Sequence, residues 1–106
     1  MIGTEQPYSV KEPWMDSLTR DSLAPLHWVV MHNDPVTTMD FVVDTLVNEF
    51  GMSHDAAIEA MYRIHYTGLD KVAIMPLERA EFKVENIRRT ARMQGFPLTC
   101  TIETDQ

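Results

Sequence analysis

The chain has 106 residues and an apolar fraction of 44%, which is enough for one modest hydrophobic core in one domain. Its formal charge of −7 argues against nucleic-acid phosphates and anionic membrane as partners, and favours a cationic or neutral one. No apolar run is long enough to span a bilayer, residues 1–6 lack the regions of a signal peptide, and the single Cys100 excludes an internal disulfide, so the chain reads as cytoplasmic.

Residues 1–24 show no sustained period; they hold Pro7, Pro13 and two isolated aromatics, Tyr8 and Trp14, and read as a flexible N-terminal extension. Pro25 opens a folded domain over 25–106. Leu26–His32 is a β-rich apolar run, expected to be a strand buried on both faces. A loop follows, and either Thr37 (with Asp40 three residues on) or Thr38 caps a first helix. Met39, Val42, Val43, Leu46, Val47 and Phe50 make one apolar stripe on it, with Asp40, Asp44, Asn48 and Glu49 opposite, and Gly51 stops it.

Ser53 caps a second helix whose inner face carries Ala57, Ile58, Met61, Ile64 and His65, and Gly68 ends it. Val72–Met75 reads as a short strand, and Pro76 suits the first turn of a third helix. There Leu77, Ala80, Val84, Ile87 and Ala91 step at three and four until Gly95. Leu98–Ile102 alternates strictly, as a strand with one face buried does. The order is β-α-α-β-α-β. It predicts an α+β domain with a three-stranded antiparallel sheet and three helices on one side.

Nothing in the sequence has the form of a phosphate loop, a zinc motif or a nucleophile elbow. Cys100 falls in the alternating strand and reads as a small buried hydrophobe rather than a nucleophile. His27 and His32 are five apart on a strand and point to opposite faces, and His54 falls in a helix's first turn. A metal cluster of His32, Asp34 and His65 ranks far below a binding role for the same residues. The expectation is therefore no catalytic residue, no cofactor and no metal. What stands out is the run from His32 through Asn33, Asp34 and Thr37 to Phe41, which sets polar groups against the start of an apolar helix. His65 follows Ile58 by seven and Met61 by four, so all three share a face. If the first two helices pack together, His65 reaches the mouth of that loop. Acceptors beside an apolar pocket suit a ligand with a cationic head and an apolar body.

Four segments carry a resemblance to a known family. They are Asn33-Asp34-x-x-Thr37-x-Met39-Asp40-Phe41-Val42, then Met61-x-x-Ile64-His65-Tyr66-x-Gly68, then Glu78 through Lys83-Val84, and Pro97-Leu98-x-Cys100-Thr101-Ile102-Glu103. In this order and spacing, over about residues 26–103, the chain resembles the ClpS adaptors of bacterial Clp proteases. The resemblance implies an adaptor that binds N-end-rule substrates whose first residue is Leu, Phe, Tyr or Trp. It places the substrate's α-amino group against Asn33, Asp34, His65 and Thr37. It places the first side chain in a pocket walled by Met39, Val42, Met61, Ile64 and Leu98. It further implies docking on the N-terminal domain of a Clp-family AAA+ unfoldase through Glu78 and Lys83. The adaptor itself is expected to be a monomer.

Pro35 stands where the family commonly has a second acidic residue, and Asp70 replaces a small one. These departures motivate an alternative, a regulatory module that binds the unfoldase with a weak or altered degron pocket. A ribosomal stalk-type domain shares the fold pattern but does not call for the Asn33, Asp34 and His65 constellation. Two expectations follow from the adaptor reading. Asp34→Ala, a loop change, should abolish peptide binding and leave the fold intact. Binding should also weaken on acidification, because His65 must be neutral to accept a hydrogen bond.

Overall fold

The computed structural model describes residues 25–105. The reading of residues 1–24 as a flexible extension lies outside them. The elements are β1 (Leu26–His32), α1 (Met39–Phe50), α2 (His54–Thr67), β2 (Leu69–Pro76), α3 (Leu77–Met93) and β3 (Thr99–Thr104). The sheet runs β2-β1-β3, with both pairings antiparallel. The first strand in sequence is thus the central one. Val29, Val30 and Met31 are fully buried there, so burial on both faces holds for the middle of the strand, while its ends are half-buried.

One face of the sheet meets the helices. Val29 and Met31 from β1, Leu46 from α1, Ile64 from α2, Ile87 from α3 and Leu98 form the centre of one core cluster. The β-strand alternation turns Val30 the other way, and it does not join that cluster. Cys100 is buried in the core, and burial pushes its thiol up to about 12 despite the opposing Arg88 charge. It is a packed hydrophobe and carries no thiolate at neutral pH.

The helix ends follow their capping residues. Thr38, not Thr37, is the N-cap of α1: its hydroxyl accepts from the Phe41 N–H at 3.1 Å. Gly51 closes α1 at φ +69°, where its N–H reaches the Leu46 and Val47 carbonyls. Ser53 caps α2 by accepting from the Ala56 N–H at 3.1 Å. Pro76 precedes α3 as its N-cap, one position earlier than expected, and makes no side-chain cap bond.

Two strands differ from expectation. β2 begins at Leu69, directly after the α2 cap, and not at Val72. A bulge explains the misreading. Val29 pairs with Ala73 and Val30 with Lys71, which leaves Val72 as an extra residue and breaks the two-residue period. Asp70 in this strand pairs with Arg63 of α2 at 3.2 Å, which accounts for an acidic residue at that position. β3 extends to Thr104, and Leu98 lies one residue before its start. Among the described residues no helix is long and apolar enough to cross a membrane.

Candidate functional site

The loop between β1 and α1 is built around one carboxylate. Asp34 Oδ1 accepts from the Val36 N–H at 2.8 Å and the Thr37 N–H at 2.7 Å, and Oδ2 accepts from the Thr37 hydroxyl at 2.7 Å. This is an Asx turn, in which a side chain takes the place of a backbone acceptor. Burial alone would raise the Asp34 pKa. The Thr37 and Val36 donors, with the Arg92 charge, outweigh it and hold the group below its ordinary value. Arg92 is itself anchored nearby in sequence, donating to the Phe96 carbonyl at 2.9 Å and the Leu98 carbonyl at 3.1 Å.

The other end of the loop is clasped to α2. The Asn33 N–H donates to the Gly68 carbonyl at 2.9 Å, across 35 positions of sequence. Gly68 can hold the required backbone because it sits at φ +97°, a conformation that side chains disfavour. The clasp brings the loop beside the last turn of α2, where His65 sits. The His65 ring meets Tyr66 edge-on with centroids 4.9 Å apart. Among the described residues, neither ring nitrogen of His65 nor the side-chain amide of Asn33 has a hydrogen-bond partner. Both are on exposed positions.

Between the loop, α1 and α2 lies a cleft of about 630 Å³, in the size range of small-ligand sites. Asn33, Asp34, Thr37 and His65 line it together with Met39, Val42, Met61 and Ile64. The structure therefore gathers into one cleft the polar residues and four of the wall residues expected from the sequence. Val42, Met61 and Ile64 are buried, whereas Met39 is 43% exposed and stands at the rim. An apolar floor with unpartnered acceptors at its mouth can take an ammonium group attached to a hydrophobic side chain.

Two expected residues lie elsewhere. Leu98 does not line the cleft. It is 1% exposed in the central core, because the β3 approach carries it on the same inward face as Cys100. Lys83 is not on an open surface. It is 7% exposed and its ammonium group sits 3.6 Å from Glu49 of α1, a carboxylate that also accepts from Asn86 Nδ2 at 2.5 Å. Helical spacing puts Lys83 on the buried stripe, three residues after Ala80 and four before Ile87. Glu78 is exposed, as a docking residue must be. Pro35, Val36 and Thr38, from the same loop but not among the named contact residues, also line it. Periodicity does not speak for a loop, but an apolar Val36 between a proline and two threonines was a signal. His32 is engaged on β3, its Nε2 2.8 Å from the Thr101 hydroxyl. Among the described residues no group of three or more His, Cys, Asp and Glu is arranged to hold a metal.

The sequence profile of a family described as "ATP-dependent Clp protease adaptor protein ClpS" matches residues 22–101. The chain belongs to the ClpS family. Bacterial adaptors of that name are similar over most of their length. That of Desulforapulum autotrophicum is 41% identical over 86 residues, covering 81% of this chain and 83% of the relative. That of Nitratidesulfovibrio vulgaris is 40% identical over 75 residues, covering 71% and 75%. Among solved structures, Agrobacterium tumefaciens ClpS2 bound to L-phenylalaninamide superposes with a TM-score of 0.74 at 30% identity. The match covers 77% of this chain and 99% of that one, so the ClpS fold accounts for the three helices and three strands described above.

Proposed function

We propose that this chain is an N-degron adaptor. It binds the free N-terminus of proteins that begin with Phe, Leu, Tyr or Trp and delivers them to a Clp-family AAA+ unfoldase. The observation that carries this reading is the pairing, in one cleft, of unpartnered acceptors on Asn33 and His65 with the apolar walls of Val42, Met61 and Ile64. L-phenylalaninamide, bound by the Agrobacterium relative, is an amine with a benzyl side chain. That chemistry matches the cleft here.

In this reading the substrate ammonium, which carries three donors, meets Asn33 Oδ1 and a neutral His65 nitrogen. Asp34 supplies negative charge from within the loop wall. Its lone pairs are largely committed to Val36 and Thr37, so it acts more by its field and by shaping the loop than as a direct acceptor. Burying a Phe or Leu side chain contributes about 1.5–3 kcal/mol, and each charge-assisted hydrogen bond contributes about 1.5–3. Micromolar affinity needs about 8 kcal/mol, so the amine and the side chain must be recognised together. Met39 at the rim and Met61 on the wall adapt to side chains of different shape. Substrate binding involves no covalent step and no catalytic group.

The same reading assigns unfoldase docking to the exposed face of α3 that carries Glu78. Lys83 is buried on the other side of that helix, against Glu49 of α1. The test of the degron reading is fluorescence anisotropy with two labelled peptides that differ only in a free or acetylated N-terminal Phe. Binding of the free amine alone supports the proposal, and equal binding of both removes it. Pro35 lines the cleft without a backbone N–H and without the charge common at its position. If neither peptide binds, the regulatory reading, a domain that engages the unfoldase with a vestigial cleft, takes its place.

A further inference from the structure

The degron cleft has a neighbour. A second open cavity, of about 440 Å³, lies between α1 and α2, and it shares Met39 and Met61 with the first. The two methionines are thus a partition between adjoining spaces, one side facing the amine site and the other facing along the interhelical groove. The second space is lined on the α1 side by Asp40, Val43 and Asp44, and on the α2 side by His54, Ile58 and Tyr62.

Its chemistry differs from that of the first. Asp40 and Asp44 are four apart on α1 and so project to the same side of the helix, one turn from each other. Both are exposed, and among the described residues neither has a salt-bridge partner. Opposite them, Tyr62 is held against Tyr66 in a stacked pair with centroids 6.0 Å apart. Two carboxylates facing an aromatic ring and an aliphatic wall suit a long side chain with a cationic end. A planar guanidinium suits it best, since it can span two carboxylates and lie against an aromatic face.

The position of that side chain in a bound peptide follows from strand geometry. In an extended chain, side chains of residues one and three project to the same side, about 6.4–6.8 Å apart, and residue two points the other way. A chain that leaves the cleft over the Met39 and Met61 partition carries residue three into the second space. We propose that this groove is a subsite for a basic side chain, arginine foremost, at the third residue of the bound N-terminus. The inference rests on the N-degron reading above and adds a sequence preference to it.

The experiment uses the full chain and four labelled peptides with a common tail, beginning Phe-Ser-Arg, Phe-Ser-Ser, Phe-Ser-Glu and Phe-Arg-Ser. Each is titrated by anisotropy into the wild type and into Asp44→Asn, at low and high salt. Phe-Ser-Arg should bind about fivefold tighter than Phe-Ser-Ser, the gain of a partly exposed ion pair, and Phe-Ser-Glu should bind more weakly than either. The arginine advantage should fall below twofold in Asp44→Asn and in high salt. Phe-Ser-Ser should bind both proteins equally, which also shows that the variant is folded. Affinities within twofold for all Phe peptides would overturn the subsite and leave the degron reading standing. So would an equal advantage for Phe-Arg-Ser, or an advantage that survives in Asp44→Asn. Failure of Phe-Ser-Ser itself to bind the wild type would remove the degron reading and the subsite together.

Discussion

Asp34→Ala should unravel the loop as well as the ligand site. The side chain accepts three hydrogen bonds, two from the half-buried Thr37 and one from the exposed Val36 N–H. At about 1 kcal/mol for each Thr37 bond and roughly half that for Val36, the variant loses about 2–3 kcal/mol of stability. For a domain of this size that is a fall of about 10–20 °C in Tm. Urea denaturation followed by circular dichroism measures the first quantity, and a thermal scan the second. The loss should also depend on pH, with a definite sign. The folded-state pKa of Asp34 lies below its unfolded value. The stabilisation from its charge is therefore fully present above the unfolded value and is lost as pH falls through the folded one. The gap between wild type and Asp34→Ala should narrow steadily as the buffer is taken from pH 6 down to pH 3. A variant within 0.5 kcal/mol of wild type at pH 7, or a gap that widens in acid, would refute this account of the loop.

Other outcomes follow from the same geometry. Lys83→Ala leaves the Glu49 carboxylate without its ammonium partner and should cost roughly 2–3 kcal/mol in urea denaturation. Glu78→Ala, at an exposed position, should change stability by less than about 0.5 kcal/mol, while weakening co-purification with the unfoldase. Leu46→Ala removes a fully buried side chain from the core and should cost about 2–5 kcal/mol. Cys100 should resist iodoacetamide at pH 8 in the native state and react promptly in urea, because burial keeps its thiol protonated. Rapid native labelling would contradict the packed strand.

The helices and their stops were legible because periodicity and capping act locally. The stripe from Met39 to Phe50, the Ser53 cap and the glycine at 68 are each decided within a few residues. β2 was read too short because its bulge answers to β1, far away in sequence, and no local pattern announces Val72 as an extra residue. The cleft was legible where helix faces define it, at Met61, Ile64 and His65. At Leu98 the strand alternation tells that the side chain faces inward but not which part of the interior it fills. The resemblance assigned Lys83 to the docking surface, whereas its spacing from Ala80 and Ile87 puts it on the buried stripe. The role of Asp34 was half seen. Its place in a polar loop suggested a ligand contact, whereas its oxygens are spent on the turn. With those bonds in view, its removal is expected to weaken the fold as well as the cleft.

The strand order carries a consequence for how the protein comes into being. β1 is made first but sits between β2 and β3, so both of its edges stay unpaired until residues 76 and 104 have been added. Through most of synthesis the chain exposes a bare apolar ribbon, Val29-Val30-Met31, with free hydrogen-bonding groups along each side. The clasp from Asn33 to Gly68 likewise cannot close before residue 68 exists. A nascent chain therefore has a sticky strand before it has the clasp that shapes the cleft, and the strand keeps a free edge until residue 104 is in place.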